Sequence, residues 1–344
     1  MANVEQQTTP IPGPPQQTTS FSINLQEIAN NNKPENNAAN LKAIQELRNS
    51  KVISLNLQSP LVPLQFSIVP LLFDILEGIS RTERIDLILQ STGGIAEVPW
   101  RIVSLIRDYC DTFGVIVPEA ALSGATHIAI GADDLILSEL STLGSVDPTR
   151  NHPLLPKDKN QNPIPTSVQD LKHCIGFIKE QLGIIGKTKG EDKKNLSIII
   201  AELFKHIHPF AIGAIEQSYQ LSKLITRKVL KTRKAQLDPR EIARVENMLG
   251  ENYFSHSFPI CRKDIENDLG LPVIKPSPDL KKRMLEWRLY YMKEFGKSVS
   301  ITPGNQPPLQ FKYMGFVDSV FTRRAICGII APTGQVLTLG NVII

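Results

Sequence analysis

Cysteine is scarce in this chain of 344 residues and never clustered. Cys110, Cys174, Cys261 and Cys327 stand far apart with no C-x-x-C pair. That excludes a zinc ribbon or a disulfide framework and makes reduced thiols in a cytoplasmic setting the expectation. Long apolar runs are missing as well. The nearest, "LVPLQFSIVPLLFDILEGI", is interrupted by Pro63, Gln65, Pro70 and Asp74. It falls short of the roughly 18 apolar residues of a membrane span and reads as a loop followed by an amphipathic or buried helix. The N-terminus lacks the charged start and apolar stretch of a signal peptide. No charge sign is in large excess: the formal net charge is +4, and the only dense basic run, "TRKVLKTRKAQ", fits a solvated helix face. Nucleic acid is therefore not an expected partner. No strand-like run is followed by G-x-G-x-x-G, and "STGGIAE" has the wrong spacing for a dinucleotide cradle, so no cofactor is expected, neither NAD nor pyridoxal phosphate.

What is present is enough apolar residue, 41% of the chain, to bury one substantial core. Residues 1–40 form a Pro/Gln/Thr/Asn-rich tail with a repeated "QQTT" and little to bury, a composition expected to be disordered. From Lys51 the pattern alternates. "VISLNL", "IDLIL", "FGVIV" and "DDLILS" read as strands, "IDLIL" as a buried parallel one, and the segments between them carry helical spacing. Short β/α connections imply right-handed crossovers and helices over a largely parallel sheet, an α/β fold. The prolines at 148, 153, 156, 163 and 165 mark a long exposed loop over 148–165. Helices follow at "SVQDLKHCIGFIKEQLG", about 193–208, about 210–234 and "PREIARVENMLG", then "PDLKKRMLEWRLYYMKEFG". Short strands close the chain, the last two joined by a turn at "PTGQ". The expected division is a core over 45–235 and a C-terminal extension over 236–344.

One serine stands where chemistry would be placed. Ser123 follows the "FGVIV" strand and opens the helix "SGATHIAIGA", at the C-terminal sheet edge where open α/β folds hold ligands. The Gly124 amide would lie at the helix N-terminus, and the glycines of "STGG" would let Gly93 or Gly94 turn an amide into the same crevice. Two such amides make an oxyanion hole. Serine is also a favoured helix N-cap, and a Gly-Gly turn after a strand is ordinary punctuation.

The stretches "IDLILQSTGG", "VIVPEAALSGATHIAIGADDLIL" and "STLGSVDPT", in this order, resemble the Clp/crotonase-fold serine peptidases. Within that group they most resemble the serine dehydrogenase proteinase family, related to signal peptide peptidase A and the Clp proteolytic subunit. The later "LGENYFSHSFPICRKDIENDLGLPV" is similar to a segment following the helical region in that family. The resemblance implies a repeated β-β-α superhelix followed by a helical region and short C-terminal strands. It implies Ser123 as nucleophile, Gly93 or Gly94 with Gly124 as oxyanion donors, a peptide or protein substrate, and homo-oligomers. Any ATPase or membrane partner is not visible in the sequence.

The proton acceptor is where the chain departs from its relatives. The Clp histidine corresponds here to Asp147, a poor base unless its pKa is raised. Lys172, His127 one helical turn after Ser123, and Asp147 itself as base or orienter are the candidates. Lys157 and Lys159 lie in the loop, His256 has no assigned chemistry, and His206 and His208 lack a third metal ligand. The extended "GSVDP" segment is expected to offer an edge to which a substrate strand could pair. Two other readings remain: a non-catalytic scaffold that binds peptide or a partner protein, and a crotonase-type acyl-CoA enzyme in which Asp147 or Glu119 would act on a thioester.

Overall fold

The computed structural model describes residues 37–57, 62–181, 190–253, 255–295, 297–301, 309–330 and 336–343. Residues 1–36, most of the expected tail, lie outside it. Ala38–Asn40 do not belong to a tail, because they open helix α1 (Ala38–Arg48). Strand β1 (Lys51–Leu57) is followed by α2 (Ile68–Ile79), β2 (Thr82–Gln90), α3 (Val98–Tyr109) and β3 (Cys110–Val117). A short strand β4 (Ala120–Ala121), α4 (Gly124–Ile130), β5 (Asp134–Leu137) and β6 (Thr142–Leu143) complete the first half.

β1, β2, β3 and β5 pair in parallel, in that order. Their residues are buried on both faces, which explains why they read as continuous apolar runs rather than alternating ones. One face carries Ile53, Leu55, Leu87, Leu89, Val115 and Leu137, packed against α2, α3 and α4. The other carries Val52, Ile88, Ile116 and Ile136 against Leu41 and Ile44 of α1.

The second half is helical: α5 (Val168–Gln181), α6 (Gly190–His206), α7 (Pro209–Leu230) and α8 (Pro239–Asn247). Asp238 and Glu241 form a reciprocal capping box at the start of α8. A π-turn over Met248–Asn252 then leads to β7 (Ile260–Cys261), the short helix α9 (Arg262–Asp264) and α10 (Pro278–Glu294). Strands β8 (Ser298–Ile301), β9 (Leu309–Ser319), β10 (Arg323–Ile330) and β11 (Val336–Ile343) close the chain. β9 pairs antiparallel with β1, so the main sheet runs β11-β10-β9-β1-β2-β3-β5, with β8 beside β9. The segment after 236 is thus not appended beside a finished core: its strands continue the core sheet, and α10 covers the face opposite α4. The "PTGQ" turn lies outside the described residues, while β10 and β11 on either side of it pair antiparallel. No single described helix is long and apolar enough to cross a membrane.

Candidate active site

Three connections converge at the C-terminal ends of β2 and β3. Past β2, Ser91 pairs with Ala121 of β4: its amide donates to Ala120 and its carbonyl accepts from Leu122, at 3.1 and 2.9 Å. These bonds clamp the turn after β2 against the turn before α4. Thr126 of α4 shares its hydroxyl between the carbonyls of Ala121 and Gly144, at 2.8 and 2.9 Å, tying the helix to the end of β6.

In that clamp Ser123 sits at φ +50°, ψ −119°. Such a backbone costs a residue with a Cβ of order 1–3 kcal/mol and persists only where its surroundings impose it. Its side chain makes no capping bond, although its carbonyl accepts from Thr126 N at 2.9 Å. Ser123 is therefore not in place as a cap. The strained strand-to-helix turn places Ser123 in the lining of a cavity of about 470 Å³, with Gly93, Gly94, Gly124, His127 and His256.

The glycines divide into two roles. Gly93 has φ +93°, and a Cβ there would come within 2.7 Å of the Gly124 nitrogen and 2.8 Å of the Ser123 Cβ. Its own amide is occupied by Ser91 Oγ at 3.1 Å. Gly94 packs on Leu64, whose amide donates to Gly93 O and whose carbonyl accepts from Ile95, both at 2.8 Å. A Cβ on Gly94 would approach the Leu64 backbone to 2.3 Å. The amides of Gly94 and Gly124 have no backbone acceptor among the described residues. They lie close together, since a Cβ on Gly124 would stand 3.5 Å from the Gly94 nitrogen.

The candidates for proton transfer are dispersed. Lys172 does not reach the serine's cavity. Its ammonium bonds Glu251 at 3.1 Å and stands 4.7 Å over the Tyr219 ring, because α5 docks on α7 and turns that residue away. Lys157 and Lys159 are also elsewhere, in a loop held by the Asp158 carboxylate, which accepts from the amides of Asn160 and Asn162. His127 lines the cavity but is buried against α7, with Nε2 3.0 Å from the Thr226 hydroxyl and Nδ1 unpartnered among the described residues. Burial pushes its imidazole down to about 4, so it is neutral at pH 7. The Ser123 hydroxyl bonds none of these groups.

Asp147 is buried, 7% exposed, and is not among the residues that line the serine's cavity. Burial raises its carboxyl to about 6, against the opposing pull of the Ser167 hydroxyl and the charges of His256 and Lys172. Its Oδ1 has no partner among the described residues. A second cavity of about 290 Å³ is lined by Asp147, Ser167 and His256. His256 therefore stands between the two spaces, in contact with the serine's cavity on one side and the buried carboxylate's on the other. Sequence reasoning gave this residue no chemistry, since more than a hundred positions separate it from Ser123. The signal was its place in the "NYFSHSFPI" stretch that the resemblance already singled out.

The expected substrate edge at "GSVDP" is corrected. Val146 donates to Leu249 O at 3.0 Å and accepts from the Ser222 hydroxyl at 2.7 Å, so both its backbone groups are taken by the π-turn and α7. Val146 still lines the serine's cavity.

Residues 28–156 match the ClpP-like SDH-type serine proteinases. The matched segment contains the clamp, the glycines, Ser123 and Asp147, and ends before Lys172 and His256. Over 195 residues the chain is 26% identical to an uncharacterized protein of Methanocaldococcus jannaschii, covering 57% of this chain. The alignment spans about half, 55%, of that relative's length. Among solved structures, a ClpP1 mutant from Listeria monocytogenes is similar, with TM-score 0.35 and 12% identity, covering 69% of this chain and 98% of that one. A mutant of the 1510-N membrane-bound stomatin-specific protease, in complex with a substrate peptide, is also similar, with TM-score 0.24 and 22% identity over 34% and 54% of the two chains.

Proposed function

We propose that this protein is a serine peptidase in which Ser123 is the nucleophile, His256 the general base and Asp147 the group that orients it. The observation that carries the reading is the strained Ser123, uncapped and lining a cavity with Gly94 and Gly124, whose amides have no backbone acceptor among the described residues. Ser123 Oγ attacks the scissile carbonyl carbon while its proton passes to the imidazole of His256. The oxyanion that forms accepts from the Gly94 and Gly124 amides, an arrangement that favours charge present only in the transition state. The imidazolium gives its proton to the departing amine, the C–N bond breaks, and water hydrolyses the acyl-enzyme by the same route. Burial holds the Asp147 carboxyl up at about 6 while the neighbouring His256 pulls it down, the coupling expected of a carboxylate that orients an imidazole.

The scaffold reading has one observation in its favour: the Ser123 hydroxyl has no base in hydrogen-bond contact among the described residues. Catalytic contacts often tighten only around a bound substrate, so hydrolysis decides. Quenched-fluorescent peptide libraries should be cleaved by the wild type, and Ser123→Ala should abolish turnover. Equal background hydrolysis by both proteins would reject the peptidase. Its cytoplasmic setting and assembly into homo-oligomers belong to the same proposal and rest on the scattered free thiols and on the family resemblance.

A further inference from the structure

Asp147 and His256 are far apart in the chain, and neither belongs to a helix or a strand, so no backbone ladder sets their spacing. The Asp147 amide has no backbone acceptor among the described residues, and the next residue, Pro148, carries no N–H. The amide donates instead to Ser145 Oγ, at 3.2 Å. That hydroxyl gives its single proton to the Leu249 carbonyl, at 2.7 Å. Leu249 is fully buried and belongs to the π-turn from which the chain runs on to His256. On the other side of Ser145, Gly144 is tied to Thr126 of α4: its amide donates to the threonine hydroxyl at 3.1 Å, and its carbonyl accepts from it at 2.9 Å. Ser145, 3% exposed, is therefore the joint between the serine's helix, the aspartate's backbone and the histidine's turn. It lines the cavity of about 290 Å³ together with Asp147 and His256. The Val146 amide reaches the same Leu249 carbonyl at 3.0 Å, so the two segments stay joined when the hydroxyl is removed. What is lost is the acceptor of the Asp147 amide.

We propose that Ser145 is a positioning residue of the peptidase reaction: its hydroxyl fixes the Asp147 backbone so that the carboxylate meets the His256 imidazole as it takes the Ser123 proton. The inference rests on the peptidase reading. Ser145 does not line the serine's cavity, so it acts through Asp147 and not on the substrate. Misplacing a catalytic group by about 1 Å costs about 10²-fold in rate, and that loss falls on kcat rather than on substrate binding.

The test is peptide hydrolysis across a double-mutant cycle of Ser145→Ala and Asp147→Asn. Ser145→Ala should lower kcat by about 10–100-fold with KM within about twofold, and Ser145→Thr, which keeps the hydroxyl, should recover most of the loss. In the Asp147→Asn background the same Ser145→Ala change should cost less than about threefold, because the hydroxyl acts through the carboxylate. Ser141 is the matched control: also buried, its hydroxyl accepts from the Ser138 amide and donates to the Val117 carbonyl, the same pair of bonds away from Asp147. Ser141→Ala should lower the melting temperature as much as Ser145→Ala while kcat stays within about threefold. Wild-type turnover by Ser145→Ala, an equal loss in both backgrounds, or an equal loss of kcat in Ser141→Ala overturns the positioning role and leaves the peptidase standing. A wild type that cleaves no peptide rejects both.

Discussion

Replacing Asp147 by Asn separates the stability of this site from its chemistry. The carboxyl is raised from an ordinary value near 3.9 to about 6 by burial. A group whose folded-state pKa lies above its unfolded one contributes stability that is complete below the unfolded value and lost as pH rises through the folded one. Here the loss runs from about pH 4 to just above 6. A difference of about two units at 1.36 kcal/mol each makes ionised Asp147 cost the fold about 3 kcal/mol at pH 8. The amide carries no charge, so Asp147→Asn should be more stable than wild type at pH 8 by up to that amount and lose most of the advantage at pH 4.5. Denaturant unfolding of both proteins at pH 4.5, 6 and 8 reads this directly as a shift in midpoint. Turnover should fall at the same time, by about 10²–10⁴-fold, because a neutral amide cannot hold an imidazolium. A stability difference independent of pH, or a variant less stable at pH 8, would refute the reasoning.

Gly93→Ala should abolish turnover and lower stability, since its Cβ would meet the Gly124 nitrogen at 2.7 Å on a backbone at φ +93°; wild-type peptide hydrolysis by that variant would refute the clamp. His256→Gln should reduce kcat by about 10²–10⁴-fold with the melting temperature nearly unchanged, while His127→Gln, altering a histidine already engaged with Thr226, should cost turnover less than tenfold; the reverse order would exchange their roles. Lys172→Ala should leave turnover within about twofold and stability within about 1 kcal/mol, because its ion pair with Glu251 is 46% exposed on the lysine side. Arg233→Met should destabilise by about 2–4 kcal/mol in urea melts, because the buried guanidinium donates to the carbonyls of Ile130, the last residue of α4, and Ala132 just beyond it.

The elements around Ser123 were legible because each is local. "IDLILQ" is apolar without alternation because β2 is covered on both faces, and "SGATHIAI" is a helix of small residues because α4 packs beneath α3 and α7. Helix α1 was not legible, since "AANLKAIQELR" buries only Leu41 and Ile44 and looks polar elsewhere. The place of β9 beside β1 depends on pairing Ile53 with Ser319, a contact no local pattern encodes. The same distance hid His256. Lys172 read as a base through its order along the chain, but the angle at which α5 meets α7 turns it toward Glu251.

The central claim is that Ser123 is an activated nucleophile. Labelling the purified protein with a fluorophosphonate and locating the adduct by mass spectrometry tests it most directly. The account predicts one adduct, on Ser123, absent in Ser123→Ala and strongly slowed in His256→Gln. Folded wild-type protein that stays unlabelled, or labelling that persists in Ser123→Ala, would contradict it.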